Sequence, residues 1–461
     1  MSAQTKRLTA DVINWGGPER ARSDFALTEV GAAQSFAAAC GSSVRFDHRR
    51  ARWLVWADHH WTPDADGAVF RLAIDHVRRQ QHRALDVTDT FERGKAVDHW
   101  LKFDRRAALD NLLALARSIK PIADAGANWD ADPWLLGTPS GVVDLRTGHL
   151  RAGVPADRIS MQTTVPFVAD AGCERFDRFV SEVQPDSAIA SYLWRVLGYS
   201  LTGDMSEQSF WVWFGRGSNG KSTLLDVVAS LMGDYAVTVP FTAFEQARPG
   251  ALAPEVAALD GRRLVLAAES RGGWLGAGKL KDITGGEQVA ARHLYGQPFT
   301  FRPVCKIILS TNELPKVGDD SDGLWRRLRQ VPFSQRFSGS TEDRRLKDTL
   351  LAEAPGILHW LVRGCLAWQS LGLDAPAPVT DATAQYRHDS DILGPFLEEA
   401  CVLIGSIGAT DLYQHYSAWA IRAGLSERER LGATAFYRKC SERFPRTKTR
   451  SCNVYEGVSR A

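Results

Sequence analysis

The sequence predicts an α/β protein built around a mainly parallel sheet, and three segments carry that prediction. The apolar run 210–214 leads into a glycine-rich loop at 215–220, and a helical pattern follows the loop. Two more apolar runs, near 264–268 and 307–309, each end in polar residues. Strands that alternate with helices along the chain are typical of α/β folds with a parallel sheet.

The glycine-rich loop fits the pattern G-x-x-x-x-G-K-[ST] in full. Its glycines permit backbone angles at which consecutive N–H groups turn toward phosphate oxygens. We expect Lys221 to reach the β- and γ-phosphates of a nucleotide and the Ser222 hydroxyl to bind Mg²⁺. A plain glycine-rich turn is the weaker alternative, because a strand precedes the loop and a helix follows it. The residues expected to contact the nucleotide are Gly215, Gly217, Ser218, Asn219, Gly220, Lys221, Ser222 and Thr223.

Polar residues beside the other strands complete the predicted site. Glu269 is expected to hold Mg²⁺ through water and to polarise the attacking water, and Ala268 stands where many ATPases have a second carboxylate. The Asn312 amide can hydrogen-bond the γ-phosphate and the lytic water. Arg326 or Arg327, supplied by a neighbouring subunit, can stabilise charge on a transferring phosphoryl group. A solvated Glu at a strand tip and ordinary surface arginines are the alternatives.

A β-hairpin is predicted between the strand that precedes the acid and the strand that precedes the asparagine. The segments "QVAARHLY" and "PFTFRP" have the pattern of strands on either side of Gly296-Gln297. Arg292, His293 and Tyr295 cluster toward the tip. A basic and aromatic tip suits a channel that grips one strand of nucleic acid through its phosphates and by base stacking.

Composition narrows the class of protein. The 461 residues are 44% hydrophobic and 24% charged, which is ordinary for a soluble protein of several domains. We expect no membrane partner and a cytoplasmic location in a bacterial host, since no apolar run is long enough for a membrane span or a signal core. The cysteines show no zinc or disulfide spacing. The cluster Asp58-His59-His60 is interpreted as a hairpin turn, with a metal site as the weaker alternative.

Four segments are predicted as domains. A mixed helical domain covers 1–125, and a small β element followed by helices covers 126–206. The nucleotide-binding core covers 207–373, and the Pro-rich stretch 374–383 is predicted to be a break between domains. The pattern of three helices and a pair of short strands in 384–461 is typical of a small winged-helix-like domain.

The end of the chain is locally basic although the whole chain has a net charge of only +2. Residues 436–461 carry seven Lys or Arg side chains and two Glu side chains, a local net charge of +5. This excess favours contact with nucleic acid somewhat over the alternative of a solubilising tail.

The order of phosphate loop, acidic strand, hairpin, asparagine strand and arginine pair resembles the superfamily 3 helicases, and specifically the phage and plasmid primase-helicase family. Members are similar to AAA+ motors that form hexameric rings, hydrolyse ATP between subunits and unwind DNA in the 3′ to 5′ direction during replication of mobile elements. The resemblance covers roughly residues 130–370 and rests on the segments "LLGTPSGVVDLRTG", "LGYSLTGDMSEQSFWVWFGRGSNGKST", "LKDITGGEQVAARHLYGQPFTFRP" and "STNELPKVGDDSDGLWRRLRQVPF".

This resemblance implies a P-loop AAA+ core with a collar-like N-terminal domain, ATP and Mg²⁺ as cofactors, and single-stranded or forked DNA as partner. It makes Glu269 the catalytic acid, Asn312 the sensor, and Arg326 or Arg327 the arginine finger. The DNA contacts that it implies are Lys281, Arg292 and His293. A separate primase is expected, because residues 1–125 lack paired carboxylates with a basic partner and lack zinc spacing.

Two other functions use the same motifs. An ATP-dependent switch could bind origin DNA through the C-terminal domain and recruit a host helicase without unwinding. A small-molecule kinase is the third hypothesis, and the separate Asn312 strand and the arginine pair argue against it. The basic hairpin favours the helicase over the switch, since a switch has no need for basic residues at that position.

Overall fold

The computed structural model describes eleven stretches of the chain, which are residues 25–246, 254–268, 273–292, 294, 296–318, 321–338, 343, 345–391, 393–427, 429–448 and 452–461. The predictions made for Glu269, His293 and Tyr295 lie outside these residues. The chain forms two compact units, and the division falls near residue 127, with 58–60 belonging to the second unit. The last three predicted domains therefore lie together in that second unit.

From residue 25 onward, the N-terminal unit combines four helices with a small sheet. The helices are α1 (Glu29–Cys40), α2 (Ala68–Leu85), α3 (Thr90–Leu101) and α4 (Arg106–Ala116), and the strands are β1 (Val44–Asp47), β2 (Arg52–Ala57), β3 (His60–Pro63) and β4 (Ala123–Asp124). The strand order is β3-β2-β1-β4, in which β1 runs antiparallel to β2 and parallel to β4. Phe36, Ala73 and Leu112 are fully buried and bring three of the helices into one core.

The predicted turn at Asp58 and His59 is confirmed, because these residues connect β2 to β3 and Asp58 has a left-handed φ of 52°. Among the residues that the structure describes, no group of three or more His, Cys, Asp or Glu side chains is arranged to hold a metal ion.

The second unit opens with a three-stranded antiparallel sheet and two helices. The strands are β5 (Leu135–Thr138), β6 (Gly141–Asp144) and β7 (His149–Arg151). The helices are α5 (Glu174–Val183) and α6 (Ser187–Tyr199), and they lie on either side of Pro185.

A five-stranded parallel sheet forms the centre of this unit. Its strands are β8 (Phe210–Phe214), β9 (Ala236–Pro240), β10 (Leu264–Ala268), β13 (Lys306–Thr311) and β14 (Leu328–Pro332), with the hairpin strands β11 (Val289–Arg292) and β12 (Pro298–Phe301) inserted between β10 and β13. The order is β14-β8-β13-β10-β9, and every pair is parallel, which confirms the mainly parallel α/β fold. The connecting helices are α7 (Lys221–Met232), α8 (Pro254–Ala257), α9 (Ala277–Thr284) and α10 (Asp322–Trp325).

Strand β8 shows why this sheet forms. Trp211 and Trp213 pack into one apolar layer, and Phe210 and Val212 pack into the layer on the opposite face. A parallel strand that is covered on both faces needs such an uninterrupted apolar run. The pattern "FWVWF" therefore belongs to the interior of the sheet, and the loop that follows it emerges at the carboxyl edge.

The rest of the unit is mainly helical and ends in short strands. The helices are α11 (Leu346–Ala352), α12 (Ala354–Leu371), α13 (Ala377–Asp389), α14 (Leu393–Ala400), α15 (Ala409–Arg422) and α16 (Ala433–Arg443), and the strands are β15 (Cys401–Val402), β16 (Ser406–Gly408), β17 (Arg446–Lys448), β18 (Asn453–Glu456) and β19 (Ser459–Arg460). Three helices, α14 to α16, precede the antiparallel pair β17 and β18.

The predicted break at 374–383 is wrong over most of its length, because α13 begins at Ala377 and continues through it. Proline is tolerated in the first turn of a helix, where its missing N–H has no intrahelical partner. The Thr383 hydroxyl accepts a hydrogen bond from the Gln330 backbone N–H at 2.9 Å, and Tyr386 donates to the Pro315 carbonyl. These contacts make α13 an integral part of the core.

Candidate nucleotide site and nucleic-acid surfaces

The glycine-rich loop lies at the carboxyl edge of the sheet, between β8 and the start of α7. Gly220 caps this helix with a φ of 82°, and an added Cβ would lie 2.2 Å from Val183. At Gly215 an added Cβ would lie 2.4 Å from the Phe333 carbonyl oxygen. Both positions therefore require glycine, and the loop can form only because the side chains are absent.

Lys221 and Asn219 are the most enclosed polar residues of this loop. Only 3% of Lys221 is exposed, and its ammonium donates to the Gly215 carbonyl at 2.9 Å, to Asn219 Oδ1 at 3.0 Å and to Asn312 Oδ1 at 3.2 Å. Burial lowers the pKa of Lys221 to about 8. The loop and the end of β13 thus hold the lysine in place through three acceptors, which matches the three N–H bonds of an ammonium.

The structure brings Asn312 to the glycine-rich loop, where its side chain accepts from Lys221. Thr311, the last residue of β13, lies in register with Phe214, the last residue of β8. The neighbouring strand β10 ends at Ala268, which is in register with Ser310. The predicted acid and the predicted sensor each come directly after one of these strands in the sequence. Both strands therefore end at the edge of the sheet that carries the loop.

Two predicted ligands stand at the first turn of α7. Ser222 is exposed and Thr223 is half-buried. The N–H groups at the start of a helix have no intrahelical acceptors, and the helix dipole makes this end attractive to anions. An exposed hydroxyl beside such an end can approach a metal ion that accompanies a phosphate group.

Sequence inspection missed a second chain segment that contacts the loop. The Phe337 backbone N–H donates to the Ser218 carbonyl at 2.7 Å, and Asn219 Nδ2 donates to the Phe333 carbonyl at 3.5 Å. These contacts join positions more than a hundred residues apart, and no local motif in 333–338 indicates them. The segment after β14 therefore supports the loop from outside.

The arginine pair lies at the opposite edge of the sheet. Leu328, which follows the pair, is in register with Phe210 at the start of β8, and the Phe210 backbone N–H donates to the Arg327 carbonyl at 2.9 Å. The phosphate loop begins after Phe214, at the other end of this strand. A five-residue strand separates the two edges by about 13 Å.

The two arginines have different surroundings. Arg326 is exposed, whereas Arg327 is half-buried and donates to the Gly323 carbonyl at 2.7 Å. Burial lowers the pKa of Arg327, and the neighbouring charge of Arg326 adds to this effect. Arg327 is therefore engaged in a contact within the chain, whereas Arg326 is exposed.

The predicted DNA contacts occupy two different places. Lys281 lies in the last turn of α9 and donates to Ser321 Oγ at 3.2 Å. An added Cβ at Gly323 would lie 3.5 Å from the Lys281 side chain and 4.0 Å from the Arg327 guanidinium, so these two cations are neighbours. Arg292 is exposed at the end of β11, where it is in register with Pro298 of the predicted hairpin.

The basic C-terminal face is smaller than the sequence indicates. Lys439 is only 4% exposed, and Arg443 Nη2 lies 2.6 Å from Asp391 Oδ2. Arg438, Arg446 and Lys448 remain exposed. Helical periodicity did not reveal that Lys439 points inward, because its neighbours in the core come from distant segments.

Comparisons with protein families give two matches. Residues 33–185 match the family described as "D5 N terminal like", and residues 213–327 match a "Family of unknown function" (DUF5906). The second match begins in β8 and ends at the arginine pair, so it contains the candidate nucleotide site.

Curated viral proteins are similar to this chain. It is 31% identical over 320 residues to a proposed helicase of Acanthamoeba polyphaga mimivirus, a match that covers 63% of this chain and 33% of the relative. It is 23% identical over 410 residues to a proposed helicase of Invertebrate iridescent virus 3, covering 80% of this chain and 43% of the relative. A proposed primase of African swine fever virus is 24% identical over 219 residues, which is 45% of this chain and 23% of the relative.

The chain spans less than half of the length of each of these relatives. Among solved structures, an apo structure of the NrS-1 C-terminal region has a TM-score of 0.46 at 11% identity, covering 93% of this chain and 99% of that one. The predicted resemblance is confirmed, since the "D5 N terminal like" match and the similarity to viral proteins named as helicases support a phage-type primase-helicase family.

None of the helices in the described part of the chain combines the length and the apolar character that spanning a bilayer requires.

Proposed function

We propose that this chain is the motor of a ring-forming, ATP-dependent DNA helicase that replicates a phage, plasmid or integrated mobile element, with an AAA+ core and 3′ to 5′ movement on single-stranded DNA. The helicase and primase names of its relatives support this class of function. The observation that carries the proposal is the placement of Lys221 and Arg326 at opposite edges of one sheet.

The phosphate loop supports ATP and Mg²⁺ as cofactors. Its backbone packs closely at Gly215 and Gly220, where a side chain would collide with Phe333 and Val183, and the Lys221 ammonium donates to three acceptors. ATP phosphates would replace one of these acceptors, and the exposed Ser222 hydroxyl would hold the Mg²⁺ with Glu269. The metal would neutralise charge on the phosphates.

Separation of the two edges supports a site that is shared between subunits. Arg326 cannot reach the phosphate loop of its own subunit across about 13 Å of sheet. A neighbouring copy that places its loop against this edge would receive the guanidinium. Arg326 is therefore our proposed finger, and Arg327, which is committed to the Gly323 carbonyl, positions the segment.

The hairpin supports the proposal that the protein moves along DNA. It is inserted in the chain between the strand before Glu269 and the strand before Asn312, the two residues that we assign to hydrolysis. Exposed Arg292 lies toward its tip. A ring of such hairpins would contact the phosphates of one strand. An ATP switch that only recruits a host helicase would bind DNA without unwinding it.

Mixing two inactive variants tests the shared site. Lys221→Ala subunits keep Arg326, and Arg326→Ala subunits keep the phosphate loop. Random rings would contain intact pairs at about a quarter of the interfaces, so ATPase activity should return to a matching fraction. A subunit that carries both Lys221→Ala and Arg326→Ala is the matched control, because it offers neither half of a pair and should give no recovery when it is mixed with either variant. No recovery in rings proven to be mixed would contradict the proposal.

An unwinding assay on forked DNA distinguishes the proposed helicase from the alternative ATP switch. The helicase proposal expects strand separation by the chain alone with ATP, on a fork that has a 3′ single-stranded arm. Tight ATP-dependent binding to the same fork with no strand separation would instead identify the switch.

A further inference from the structure

The side chain of Asn219 in the glycine-rich loop is buried within the protein. Only 3% of Asn219 is exposed, whereas its neighbour Ser218 is exposed. The two ends of the amide have different partners, since Oδ1 accepts from the Lys221 ammonium at 3.0 Å and Nδ2 donates to the Phe333 carbonyl at 3.5 Å. The amide therefore links the lysine to the segment that follows β14.

Close packing leaves the Asn219 amide little room to turn. An added Cβ at Gly215 would lie 2.2 Å from Asn219 Nδ2 and 2.4 Å from the Phe333 carbonyl oxygen, so the amide occupies a gap that exists only because residue 215 is glycine. Reversing the amide would also set its NH₂ group against the Lys221 ammonium, and neither group can accept a hydrogen bond. Packing and hydrogen bonding thus favour a single orientation of this side chain.

The partner of the amide, the Phe333 carbonyl, is itself held at the edge of the sheet. The Phe333 backbone N–H donates to the Phe214 carbonyl at 2.7 Å, which continues the pairing of β14 with β8. The preceding Pro332 carbonyl accepts from Gln184 Nε2 at 2.9 Å. The end of the amide that points away from the lysine is therefore anchored to the central sheet.

The other side chain that accepts from the Lys221 ammonium has a different environment. Asn312 is exposed, and its contact with the ammonium is 3.2 Å long. A phosphate that enters from solvent can therefore replace Asn312 while Asn219 keeps its place behind the lysine. We propose that Asn219 is a positioning residue, whose side chain holds the Lys221 ammonium in place while ATP phosphates replace Asn312, and does not itself contact the nucleotide. This inference rests on the proposed function, in which Lys221 contacts ATP.

A double-mutant cycle on ATP affinity tests the indirect role of Asn219 in the full-length chain. Asn219→Ala should lower the affinity for Mg²⁺-ATP about tenfold, because a hydrogen bond to a charged group is lost. In the Lys221→Ala background the same change should have little further effect, since the group that Asn219 positions is absent. Gln184→Ala is the matched control, because this amide is equally buried and donates to the Pro332 carbonyl. Its effect on ATP affinity should be the same in both backgrounds.

The pH dependence of ATP affinity provides a second readout, which a purely structural role would not change. Asn219→Asp is nearly isosteric but places a carboxylate beside the Lys221 ammonium, whose three acceptors in the described part of the chain are uncharged. An anion at this position favours the protonated lysine. The pH above which ATP affinity falls should therefore be higher in Asn219→Asp than in the parent, whereas Gln184→Ala should keep the parental value.

No loss of affinity from Asn219→Ala, an equal loss in both backgrounds, or an unchanged pH profile in Asn219→Asp would overturn the proposal. Thermal unfolding checks that each variant is folded, and Asn219→Ser takes the place of Asn219→Ala in the cycle if the latter is not. A parent chain that binds no ATP would overturn the proposed function as well. A parent that binds ATP but gives an additive cycle would overturn this inference alone.

Discussion

Lys316 Nζ lies 2.5 Å from Glu429 Oε1, and this ion pair connects the loop after the Asn312 strand to the helical region that ends the chain. Asn312, at the start of the same loop, accepts a hydrogen bond from Lys221. On its other side, the Lys316 carbonyl accepts from the Leu275 backbone N–H at 2.9 Å, next to the start of α9. One short loop thus contacts the candidate nucleotide site, the connection between α15 and α16, and the segment that leads to the hairpin.

Breaking this ion pair should weaken the link between nucleotide and DNA. We expect Glu429→Gln to leave basal ATPase activity close to that of the parent, because the phosphate loop is untouched, and to reduce its stimulation by DNA several-fold. Lys95→Met, which breaks an exposed pair with Glu92 in the N-terminal unit, is the control. ATP hydrolysis measured with and without forked DNA checks the prediction, and unchanged stimulation in Glu429→Gln would contradict it.

Two substitutions should separate ATP binding from hydrolysis. Lys221→Ala removes a charge-assisted contact to the phosphates, so ATP affinity and turnover should both fall at least tenfold. Glu269→Gln preserves the shape of the side chain but not its basicity, so ATP should still bind while turnover stops. Equilibrium binding and steady-state rates for the pair provide the check. Near-parental turnover in either variant would be incompatible with its assigned role.

ATP affinity should depend on pH through the ammonium of Lys221. Burial lowers the pKa of Lys221 from 10.5 to about 8, and phosphate binding requires the protonated form. Affinity should therefore be level below about pH 8 and fall by up to tenfold per unit above it. The ratio of parental to Lys221→Ala affinity cancels the titration of ATP itself. A ratio that stays constant up to about pH 9.5 would contradict the lowered pKa.

Without nucleotide, the lowered pKa of Lys221 should make the free energy of unfolding increase with pH, whereas ATP affinity decreases with pH. Between about pH 8 and 10.5 the unfolded chain holds more protons at Lys221 than the folded chain does. The contribution of this position to stability should therefore rise with pH over that window. Denaturant unfolding of the parent and of Lys221→Met at both ends of the window measures the difference.

Removing the hairpin cations should uncouple ATP hydrolysis from unwinding. We expect Arg292→Ala with His293→Ala to keep basal ATPase activity, since neither residue belongs to the phosphate loop, and to lose unwinding and DNA stimulation. Lys281→Ala should not show this separation of ATPase activity from unwinding, because Lys281 lies beside Arg327. Strand-separation assays on a fork compare the two. Normal unwinding by the hairpin variant would show that the hairpin does not grip DNA.

The basic C-terminal face should contribute to duplex binding. A chain that ends after Ser390 keeps α13 whole, whereas an end near Asp381 would cut this helix and disturb its contact with Gln330. The shortened chain should keep ATPase activity but bind duplex DNA more weakly. The slope of log affinity against log salt concentration should become less steep by about 0.9 per lost contact. Matching salt slopes for the two chains would support a solubilising tail instead.

The sequence could predict the position of a residue where a short local pattern determines it. The G-x-x-x-x-G-K-[ST] motif identified Lys221, and an apolar run that ends in Asn312 was enough to expect a strand tip near it. The contact of Phe337 with Ser218 and the burial of Lys439 depend on segments that meet only in the folded chain. The sequence does not predict α13, because the prolines at its start indicate a break, although a helix tolerates proline in its first turn.

The separation of the phosphate loop and Arg326 also has a kinetic consequence. If each subunit holds half of a hydrolytic site, an isolated subunit has no complete site, and turnover per subunit must depend on protein concentration. Dilution below the concentration at which copies associate would switch the enzyme off without unfolding it. Assembly around DNA would then limit ATP consumption to subunits that have a strand to move along.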